Sequence, residues 1–387
     1  MIKKIFIIAG EASGDLLGSK LLSQFNSQEN AQFIYSGVGG QLMQQQNFIS
    51  IFPLEDLSVM GFFEVLPHLP KLINRINFTV KKILEFQPDY IITIDSPDFC
   101  FRVMKKLQNK PIFSSAKKIH LIAPSVWAYR ESRAKKIAKL YDLLLAILPF
   151  EPPYFEKYGL KTKFIGHPII NDSPDFSINN SHIIDIKKNY QINENDKVIL
   201  LTPGSRIGEV KRIFPVFIDG VNLLTRDYPD LKIIIPAVKK TQKIIEELSS
   251  KIKASYKIID SSQKKSAFMI ANFAIAKSGT NAIEISLYKI PLIIGYRINR
   301  LTHIIAKRII KIKFANLINL IANRYIVPEL LQYDCTKENI YKHLKNLIDN
   351  PQIAQNQIED CQNILKKLGL GTIENPSQIA VKEILKL

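Results

Sequence analysis

Three short turns rich in glycine and serine could bind an anionic ligand. They lie at 9–15 (AGEASGD), 202–206 (TPGSR) and 276–284 (AKSGTNAIE). Each follows an apolar run, at the position of a turn between a predicted strand and the next helix. Backbone N–H groups at a helix start attract phosphate, and small residues let a ligand approach closely. The first turn is not GxGxxG, which disfavours a dinucleotide site. Its structural alternative is a tight turn in which Ser13 or Asp15 caps the helix.

The two turns in the second half of the chain predict a site for a nucleoside diphosphate. Arg206 lies beside the first of them, so a planar guanidinium and backbone amides could bind one diphosphate together. Glu284 falls one helical turn after the second and could accept hydrogen bonds from a ribose diol. A plain helix N-cap is the alternative for the second turn. The residues expected to bind this donor are Gly204, Ser205, Arg206, Ser278, Gly279, Thr280 and Glu284.

Two carboxylates follow a buried-type strand in the first half. In IDSPDF, Asp95 and Asp98 come directly after the apolar run 90–94. A carboxylate at this end of a parallel strand could act as a general base on a hydroxyl. We expect Asp98 to be that base, with Asp95 left open and helix capping as the structural alternative. The six histidines have no metal-ligand spacing, so no metal site is expected.

An apolar and basic segment at 59–76 is expected to contact acyl chains or a membrane interface. Pro67 and Pro70 interrupt it, which argues against one regular core helix. A second basic amphipathic stretch follows at 303–314. Ordinary core packing is the alternative for the first segment. The residues assigned to acyl or membrane contact are Met60, Phe62, Phe63, Val65, Leu66, Leu69 and Leu72.

The composition of the 387 residues is that of a globular protein, with 46% hydrophobic and 23% charged residues. No apolar run approaches the roughly 18 residues that span a bilayer. The formal net charge of +18 is spread over both halves, and no nucleic-acid-binding motif is present. Phosphate-bearing substrates or an anionic membrane face are therefore expected as partners, and nucleic acid is not; compositional drift is the alternative. Three unpaired cysteines, and an opening that reads as a strand instead of a signal peptide, predict a cytoplasmic protein.

Short β-branched runs alternate with longer amphipathic stretches, which is typical of parallel sheets with crossover helices. Several of the runs are apolar throughout, which indicates strands covered by helices on both faces. The predicted strands are 5–9, 90–94, 119–123 and 143–148 in the first half, and 198–202, 232–236, 256–260, 273–276 and 291–295 in the second.

The fold class expected from this alternation is α/β, with two Rossmann-like doubly wound domains facing a central cleft, where open α/β sheets bind ligands. A polar stretch at 171–197 marks the boundary between them. Past Val327 the pattern predicts helices, with Pro328, Pro351 and Pro376 near their starts. The resulting segments are a first domain at 1–168, a linker at 169–197, a second domain at 198–350 and helices at 351–387, one of which could cross back to the first domain.

Seven segments in this order resemble the lipid-A-disaccharide synthases, the inverting glycosyltransferases of Gram-negative outer-membrane lipid synthesis. They run from the first strand to residue 332, so the resemblance covers nearly the whole chain. AGEASGD, the SGT turn and VPELLQ form a highly specific set. The segments are AGEASGD, IDSPDF, APSVWAY (123–129), FIGHP (164–168), TPGSR, AKSGTNAIE and NLIANRYIVPELLQ (319–332).

The resemblance implies a GT-B glycosyltransferase, with the lipid acceptor on the first domain and the UDP-sugar donor on the second. Its substrates would be UDP-2,3-diacylglucosamine and 2,3-diacylglucosamine 1-phosphate, and its products the β-1,6-linked disaccharide 1-phosphate and UDP. The resemblance also implies that Asn319, Arg324 and Glu329 complete the donor pocket. The residues expected on the acceptor side of the cleft are Gly10, Glu11, Ser13, Gly14, Asp15, Ser125 and Trp127.

In the expected mechanism, Asp98 takes the proton of the acceptor 6-hydroxyl, while Arg206 and the turn at 278–280 stabilise the departing UDP. Neither a cofactor nor a metal is expected, and UDP is only a leaving group. The enzyme would lie on the cytoplasmic face of the inner membrane, and the sequence allows an oligomer. The alternatives are another GT-B enzyme that uses UDP-N-acetylglucosamine, such as the peptidoglycan lipid-linked transferase or the 2-epimerase, and a non-catalytic nucleotide-sugar-binding protein.

Overall fold

A computed structural model describes residues 2–29, 31–57, 69–129, 131–174, 180–299 and 312–387, with the side chains of 69 and 180–182 left out. The chain divides into two compact units. Unit 1 consists of Met1–Pro168 and Gly371–Leu387, and unit 2 consists of Ile169–Leu370. Each unit is built on one parallel sheet with helices, which confirms the predicted α/β class.

The sheet of unit 1 has the order β3-β2-β1-β4-β5-β6-β7, and every neighbouring pair is parallel. The order reverses between β1 and β4, which is the topological switch point where such sheets bind ligands. The strands are β1 (Ile2–Ala9), β2 (Gln32–Val38), β3 (Ile49–Ser50), β4 (Tyr90–Ile94), β5 (Lys117–Leu121), β6 (Leu143–Ala146) and β7 (Lys161–Phe164).

Both faces of this sheet are buried, as the apolar runs predict. Along β1, Phe6 and Ile8 belong to one hydrophobic cluster, and Ile5 and Ile7 belong to another on the opposite face. Successive side chains of a strand point to opposite faces, so each face carries its own apolar layer. The helices that follow the strands in this part of the chain are α1 (Ala12–Asn26), α2 (Gln41–Gln44), α3 (Leu69–Phe86), α4 (Pro97–Leu107), α5 (Ile112–Ser115), α6 (Arg133–Ile137) and α7 (Pro152–Glu156).

The sheet of unit 2 repeats this plan with the order β10-β9-β8-β11-β12-β13, again parallel throughout. Its switch point lies between β8 and β11, where Thr202 pairs with Ala276. The strands are β8 (Lys197–Thr202), β9 (Leu231–Ala237), β10 (Ser255–Asp260), β11 (Phe273–Lys277), β12 (Leu292–Tyr296) and β13 (Glu329–Leu331).

The helices of unit 2 are, within the described ranges, α8 (Asn180–Asn189), α9 (Ile207–Leu224), α10 (Gln242–Ser249), α11 (Lys264–Ile270), α12 (Asn281–Leu287), α13 (Leu317–Ala322), α14 (Lys337–Asp349) and α15 (Pro351–Lys367). The last helix, α16 (Pro376–Leu385), belongs to unit 1 and packs against α1. No helix in the described parts of the chain is long and apolar enough to cross a bilayer.

The structure differs from the sequence-based segments in two places. Residues 169–197, expected as a linker, belong to unit 2 and include α8, and the chain returns to unit 1 only at Gly371. The prediction of helices alone past Val327 is wrong, because β13 pairs with β12 at the sheet edge. A three-residue edge strand is too short to show an alternating pattern. Pro351 and Pro376 do begin helices, as predicted.

Candidate functional site

A cavity of about 310 Å³ lies at the switch point of unit 2, where β8 and β11 end. Most of the residues predicted to bind the donor line it, and we call it the donor cavity. It also takes in residues from the end of β9 and from α11. The lining residues are Thr202, Gly204, Ser205, Pro236, Val238, Ser261, Lys264, Phe268, Lys277, Ser278, Gly279, Thr280, Asn281 and Glu284.

Two glycines with positive φ lie in the turns that follow the carboxyl ends of β8 and β11. Gly204 has φ +112° and Gly279 has φ +148°, which L side chains rarely adopt. A Cβ added to Gly204 would also lie 3.0 Å from Glu209 Oε2. Both turns therefore require glycine, and both present backbone to the cavity at close range.

The charged groups of the donor cavity are arranged as ion pairs. Lys264 Nζ lies 2.5 Å from Oε1 of Glu284, the predicted ribose ligand. Lys277 Nζ lies 3.4 Å from Oε1 of the buried Glu209. Arg206 Nη1 lies 3.7 Å from the same oxygen, with the arginine side chain 66% exposed. Arg206 and Glu284 were predicted from the sequence as donor-binding residues, whereas Lys264, Lys277 and Glu209 were not.

Arg206 ends the first glycine turn of this unit and is the N-cap residue of α9. It is not among the described residues that line the donor cavity, in contrast to Gly204 and Ser205. Its pairing with Glu209 in the first turn of α9 still keeps the guanidinium next to the Gly204 turn. The predicted contact between Arg206 and a diphosphate is thus compatible with a position at the cavity rim.

Asn319 and Glu329 hold the backbone behind the donor cavity. Glu329 accepts hydrogen bonds from the N–H groups of Ala315 at 2.8 Å and Asn316 at 3.0 Å, and from the Asn319 side-chain amide at 2.8 Å. Ser278 Oγ in turn donates to the Ala315 carbonyl at 2.7 Å. Asn319 and Glu329 thus support the backbone next to Ser278, and the direct donor contacts implied for them stay a prediction.

Arg324 is the third residue implied for the donor pocket. Its Nη2 lies 2.5 Å from Oδ1 of Asp360 on α15, and it is not among the described residues lining the donor cavity. The two charges lie on the surface of unit 2, where the arginine side chain is more than half exposed. The structure thus gives Arg324 an ion pair with α15, and its donor contact stays a prediction.

At the switch point of unit 1, three residues that are not glycine adopt left-handed backbone. Asp95 has φ +51° and Ser96 has φ +41° directly after β4, and Ile122 has φ +75° directly after β5. Such conformations cost about 1–3 kcal/mol each and cluster at functional sites. Gly10, from the first motif, lies against this turn, because a Cβ on Gly10 would be 2.0 Å from Ser96 Oγ.

A cavity of about 350 Å³ lies at these strand ends, and we call it the Asp95 cavity. Burial raises the pKa of the Asp95 carboxyl above its usual value, although the Ser96 backbone N–H opposes the shift. Ser125, predicted on the acceptor side, lines the cavity too. The full lining is Asp95, Pro97, Ile122, Ala123, Pro124, Ser125, Val126, Tyr129 and Arg133.

Asp98, the predicted base, lies in the first turn of α4 with its side chain 86% exposed. Its Oδ1 accepts a hydrogen bond from Arg133 Nη2 at 2.8 Å. The N-cap position of α4 is occupied by Ser96, so Asp98 does not have the capping role considered for it. Arg133 also stacks over the Phe101 ring. It therefore pairs with Asp98 and also lines the cavity that contains Asp95.

Trp127 is anchored beneath this region by a buried carboxyl. Its Nε1–H donates to Oε1 of Glu151 at 3.2 Å, and the Leu148 N–H donates to Oε2 at 3.0 Å. Glu151 is almost fully buried, and burial raises its pKa to about 7 despite these hydrogen bonds. The indole also makes an edge contact with the Phe150 ring. Glu151 thus fixes the loop that carries Ser125 and Trp127, and no local pattern predicts this role.

The AGEASGD motif has mostly a structural role. The Asp15 carboxylate is buried and accepts hydrogen bonds from the N–H groups of Gly40, Leu42 and Met43, at the start of α2. The carboxylate does not cap its own helix, so the capping alternative is wrong for Asp15, and its contact with the acceptor stays a prediction. Gly14 is buried against β1, whereas Ser13 is exposed and Glu11 half-buried at the start of α1.

The predicted acyl or membrane contacts lie mostly outside the described residues. Leu72 is the exception. It is described, it is half-buried, and it packs against the core of unit 1, as the packing alternative predicts. Two cations of the same segment, Lys71 and Arg75, are paired with Asp56. The members outside the described residues are Met60, Phe62, Phe63, Val65, Leu66 and the side chain of Leu69, and most of 303–314 is outside them too.

Buried histidines in unit 1 are poor candidates for acid–base chemistry near neutral pH. Burial lowers the pKa of His120 to about 3 and that of His167 to about 4, so both are neutral there. Within the described residues, no group of three or more His, Cys, Asp or Glu side chains could hold a metal ion. The titratable groups at the strand ends of unit 1 are therefore carboxylates.

Comparison with solved structures identifies the fold. A UDP-GlcNAc 2-epimerase from Neisseria meningitidis matches with a TM-score of 0.67 at 14% identity, over 99% of this chain and 100% of the other. A glycosyltransferase from Rickettsia africae matches with a TM-score of 0.63 at 14% identity, over 99% and 98%. At such low identity these matches show the fold alone, and they confirm the predicted GT-B class.

Comparison of sequences identifies the family. The family model described as Lipid-A-disaccharide synthetase matches residues 5–383. The Lipid-A-disaccharide synthase of Rickettsia prowazekii is 40% identical over 385 residues, which is 99% of each chain. The resemblance carried by the seven segments is thus confirmed over the whole described structure. The chain belongs to the lipid-A-disaccharide synthetase family.

Proposed function

We propose that the chain, a glycosyltransferase by its family membership, transfers 2,3-diacylglucosamine from UDP-2,3-diacylglucosamine to the 6-hydroxyl of 2,3-diacylglucosamine 1-phosphate. The products are the β-1,6-linked disaccharide 1-phosphate and UDP, with inversion at the donor carbon. The observation that supports this most is the donor cavity, in which two positive-φ glycine turns and two lysines meet at the switch point of unit 2. Such a cavity suits a nucleoside diphosphate.

Asp98 is assigned as the general base. It is exposed, so an acceptor hydroxyl can reach it, and Arg133 holds its carboxylate in one position. Asp98 takes the proton of the 6-hydroxyl as the oxygen attacks the donor carbon and the bond to UDP breaks. Asp95 is the competing base, because burial raises its pKa towards neutrality, where a base accepts a proton more readily.

The departing UDP gains negative charge on its terminal phosphate as the bond to the sugar breaks. Arg206 at the rim of the donor cavity and the backbone of the turns at Gly204 and Gly279 are placed to stabilise that charge. Glu284, held by Lys264, is assigned to the ribose hydroxyls. In this assignment protein cations balance the diphosphate, and the reaction proceeds without a metal ion or cofactor.

The location proposed for the enzyme is the cytoplasmic face of the inner membrane. Both substrates carry two acyl chains, and the net charge of +18 favours an anionic lipid surface. Peripheral contact is tested by flotation with vesicles that contain or lack anionic lipid. Binding that requires the anionic lipid and weakens with added salt supports this location.

The test of the function is a single incubation of purified protein with the acylated donor and acceptor in detergent, with and without EDTA. Mass spectrometry of the products should show the tetraacyl disaccharide phosphate and UDP in both samples. Loss of product in EDTA, restored by added metal, would contradict the metal-independent assignment. Absence of product in both, from protein that binds UDP, would contradict the acylated substrates.

A matched incubation with UDP-N-acetylglucosamine tests the alternative of another GT-B enzyme. The structural likeness to a UDP-GlcNAc 2-epimerase supports only the shared fold, since the identity is 14%. The family match therefore favours the acylated donor. Turnover of the non-acylated donor at a comparable rate would favour the alternative.

A further inference from the structure

Lys277 lines the donor cavity, and it lies within the AKSGTNAIE motif, although it was not among the residues predicted to bind the donor. It is the last residue of β11, and the preceding residue, Ala276, pairs with Thr202 at the end of β8. Lys277 is therefore at the switch point of the sheet, directly before the Ser278–Thr280 turn. Its side chain is only 26% exposed, in contrast to the 66% of Arg206.

The lysine side chain runs between the two glycine turns. Its Cδ lies 3.6 Å from the position that a Cβ on Gly204 would take, and its Nζ lies 4.0 Å from the corresponding position on Gly279. Both glycines have positive φ and both line the donor cavity. The side chain of Lys277 thus lies beside both of the turns whose backbone lines the cavity.

Glu209 holds the ammonium at this position. The carboxylate is buried in the first turn of α9 and lies 3.4 Å from Lys277 Nζ. It also pairs with Arg206 at 3.7 Å, so one carboxylate is shared by two cations. The Tyr296 ring lies on the other side, with Nζ 5.6 Å from its centroid. Lys277, Arg206 and Glu209 together carry a net charge of about +1, which favours an anionic ligand in the cavity.

We propose that Lys277 binds the diphosphate of the nucleotide donor directly, with Glu209 as its positioning residue. The inference rests on the proposed function and adds a cation to the leaving-group site. The ammonium of Lys277 opposes the negative charge that UDP gains as the sugar–oxygen bond breaks. Arg206, at the rim, adds a second and more exposed charge to the same group.

Binding of UDP and of uridine to the same variants separates this role from a structural one. Lys277→Met should lower UDP affinity by about 10- to 100-fold, because a charge-assisted contact with phosphate is lost. Uridine affinity should stay within about twofold, since uridine has no phosphate. Lys277→Arg should retain most of the UDP affinity. Lys243→Met, the same substitution on the exposed face of α10, is the control and should change neither affinity.

Isothermal titration of each variant gives the affinities, and thermal unfolding shows that each is folded. Unchanged UDP affinity in Lys277→Met would overturn the inference. An equal loss of UDP and uridine affinity would also overturn it, because that result indicates damage to the whole cavity. Wild-type protein that binds UDP but forms no disaccharide would contradict the proposed acylated substrates and leave the Lys277 comparison valid. Wild-type protein that binds no UDP would overturn both proposals.

Discussion

The switch points of the two units share a strand plan and differ in the residues that turn the chain. In unit 2, the turns use Gly204 and Gly279, whose positive φ needs no side chain. In unit 1, the turns use Asp95, Ser96 and Ile122, which adopt left-handed backbone despite their side chains. Glycine brings backbone close to a ligand, whereas a side chain held in a strained turn is fixed in direction.

The two sites also differ in the charges of their side chains. The donor cavity of unit 2 contains Lys264 and Lys277, each paired with a carboxylate. The site of unit 1 contains the carboxylates of Asp95 and Asp98; Arg133 donates to Asp98 and lines the same cavity as Asp95. Under the proposed function, one fold supports two tasks: the cations of unit 2 bind the diphosphate, and a carboxylate of unit 1 serves as the base.

The largest effect is expected from removing the base in unit 1. Asp98→Asn should lower kcat by about 10²- to 10⁴-fold, the usual contribution of a general base. UDP affinity should stay within about twofold, because the donor cavity lies in unit 2. Product formation by mass spectrometry and UDP titration check the two halves of this prediction. Asp95→Asn is the matched control and should lower kcat less.

The reverse ranking of the two variants would make Asp95 the base. In that case the acidic limb of the pH profile of kcat should disappear in Asp95→Asn and persist in Asp98→Asn, since that limb reports protonation of the base. A loss of UDP affinity in Asp98→Asn would contradict the division of tasks between the two units.

A smaller effect, of about 10²-fold in kcat, is expected from Arg206→Ala in unit 2. The arginine is 66% exposed, so salt should screen its attraction for UDP strongly. The affinity ratio of wild type to Arg206→Ala should therefore shrink between about 0.05 M and about 0.5 M salt. The same ratio for Lys277→Met should shrink less, because Lys277 is more buried. Equal salt dependence would contradict the distinction between a rim cation and a central one.

Most of the fold could be predicted because its central strands are apolar on both faces. β1, β4, β8 and β11 flank the switch points and are almost fully buried, so their runs stand out in the sequence. The strands that the sequence analysis missed are short or near a sheet edge, such as β3 and β13, with two and three residues. Their pairing depends on neighbours that a local pattern does not contain.

The site could be predicted only in part, for a related reason. Glycine and serine after a strand are a local signal, and they located both turns of the donor cavity. The pairing of Asp98 with Arg133 joins residues 35 apart, and Glu209 reaches Lys277 from another strand–helix unit. Lys277 and Glu209 look like surface residues in the sequence, because nothing local shows that Glu209 is buried. Asn319 and Glu329 were found by resemblance, and only the structure shows that they bind backbone.

A moderate effect on stability should separate the two uses of glycine. Gly10→Ala places a Cβ 2.0 Å from Ser96 Oγ and should lower the free energy of unfolding by about 1–3 kcal/mol. Adding Ser96→Gly removes that atom and also suits the left-handed φ of +41°, so the double variant should recover most of the loss. Urea unfolding measures both. Failure of Ser96→Gly to rescue Gly10→Ala would show that the contact is not the reason for glycine at this position.

Gly204→Ala is the matched variant in unit 2 and should behave differently. Its cost comes from the backbone at φ +112°, about 1 kcal/mol or more, and no substitution of a neighbouring side chain should remove it. Its UDP affinity should also fall, whereas Gly10→Ala should leave UDP affinity unchanged. A rescue of Gly204→Ala by Glu209→Ala, which removes the oxygen 3.0 Å from the added Cβ, would contradict this, because it would indicate a side-chain contact as the cause.

The smallest effect expected is a change of fluorescence in unit 1. Trp127 is the single tryptophan of the chain, and it donates to Glu151, whose pKa burial raises to about 7. Ionisation of Glu151 places a negative charge beside the indole, so the emission should change with a midpoint near pH 7. His120 and His167 are already neutral there, because burial lowers their pKa values to about 3 and about 4. Glu151→Gln should abolish the transition.

The same titration should appear in stability, with a sign fixed by the direction of the pKa shift. The folded chain binds this proton more tightly than the unfolded chain, where Glu151 has its usual pKa of 4.5. Stability should therefore fall as the pH rises from about 4.5 to about 7, and Glu151→Gln should reduce that slope. A slope unchanged by Glu151→Gln would show that the buried carboxyl is already ionised. The loop of Trp127 would then be held by a charged carboxylate at every pH. In that respect the site of unit 1 would resemble the donor cavity of unit 2, whose carboxylates are charged and paired.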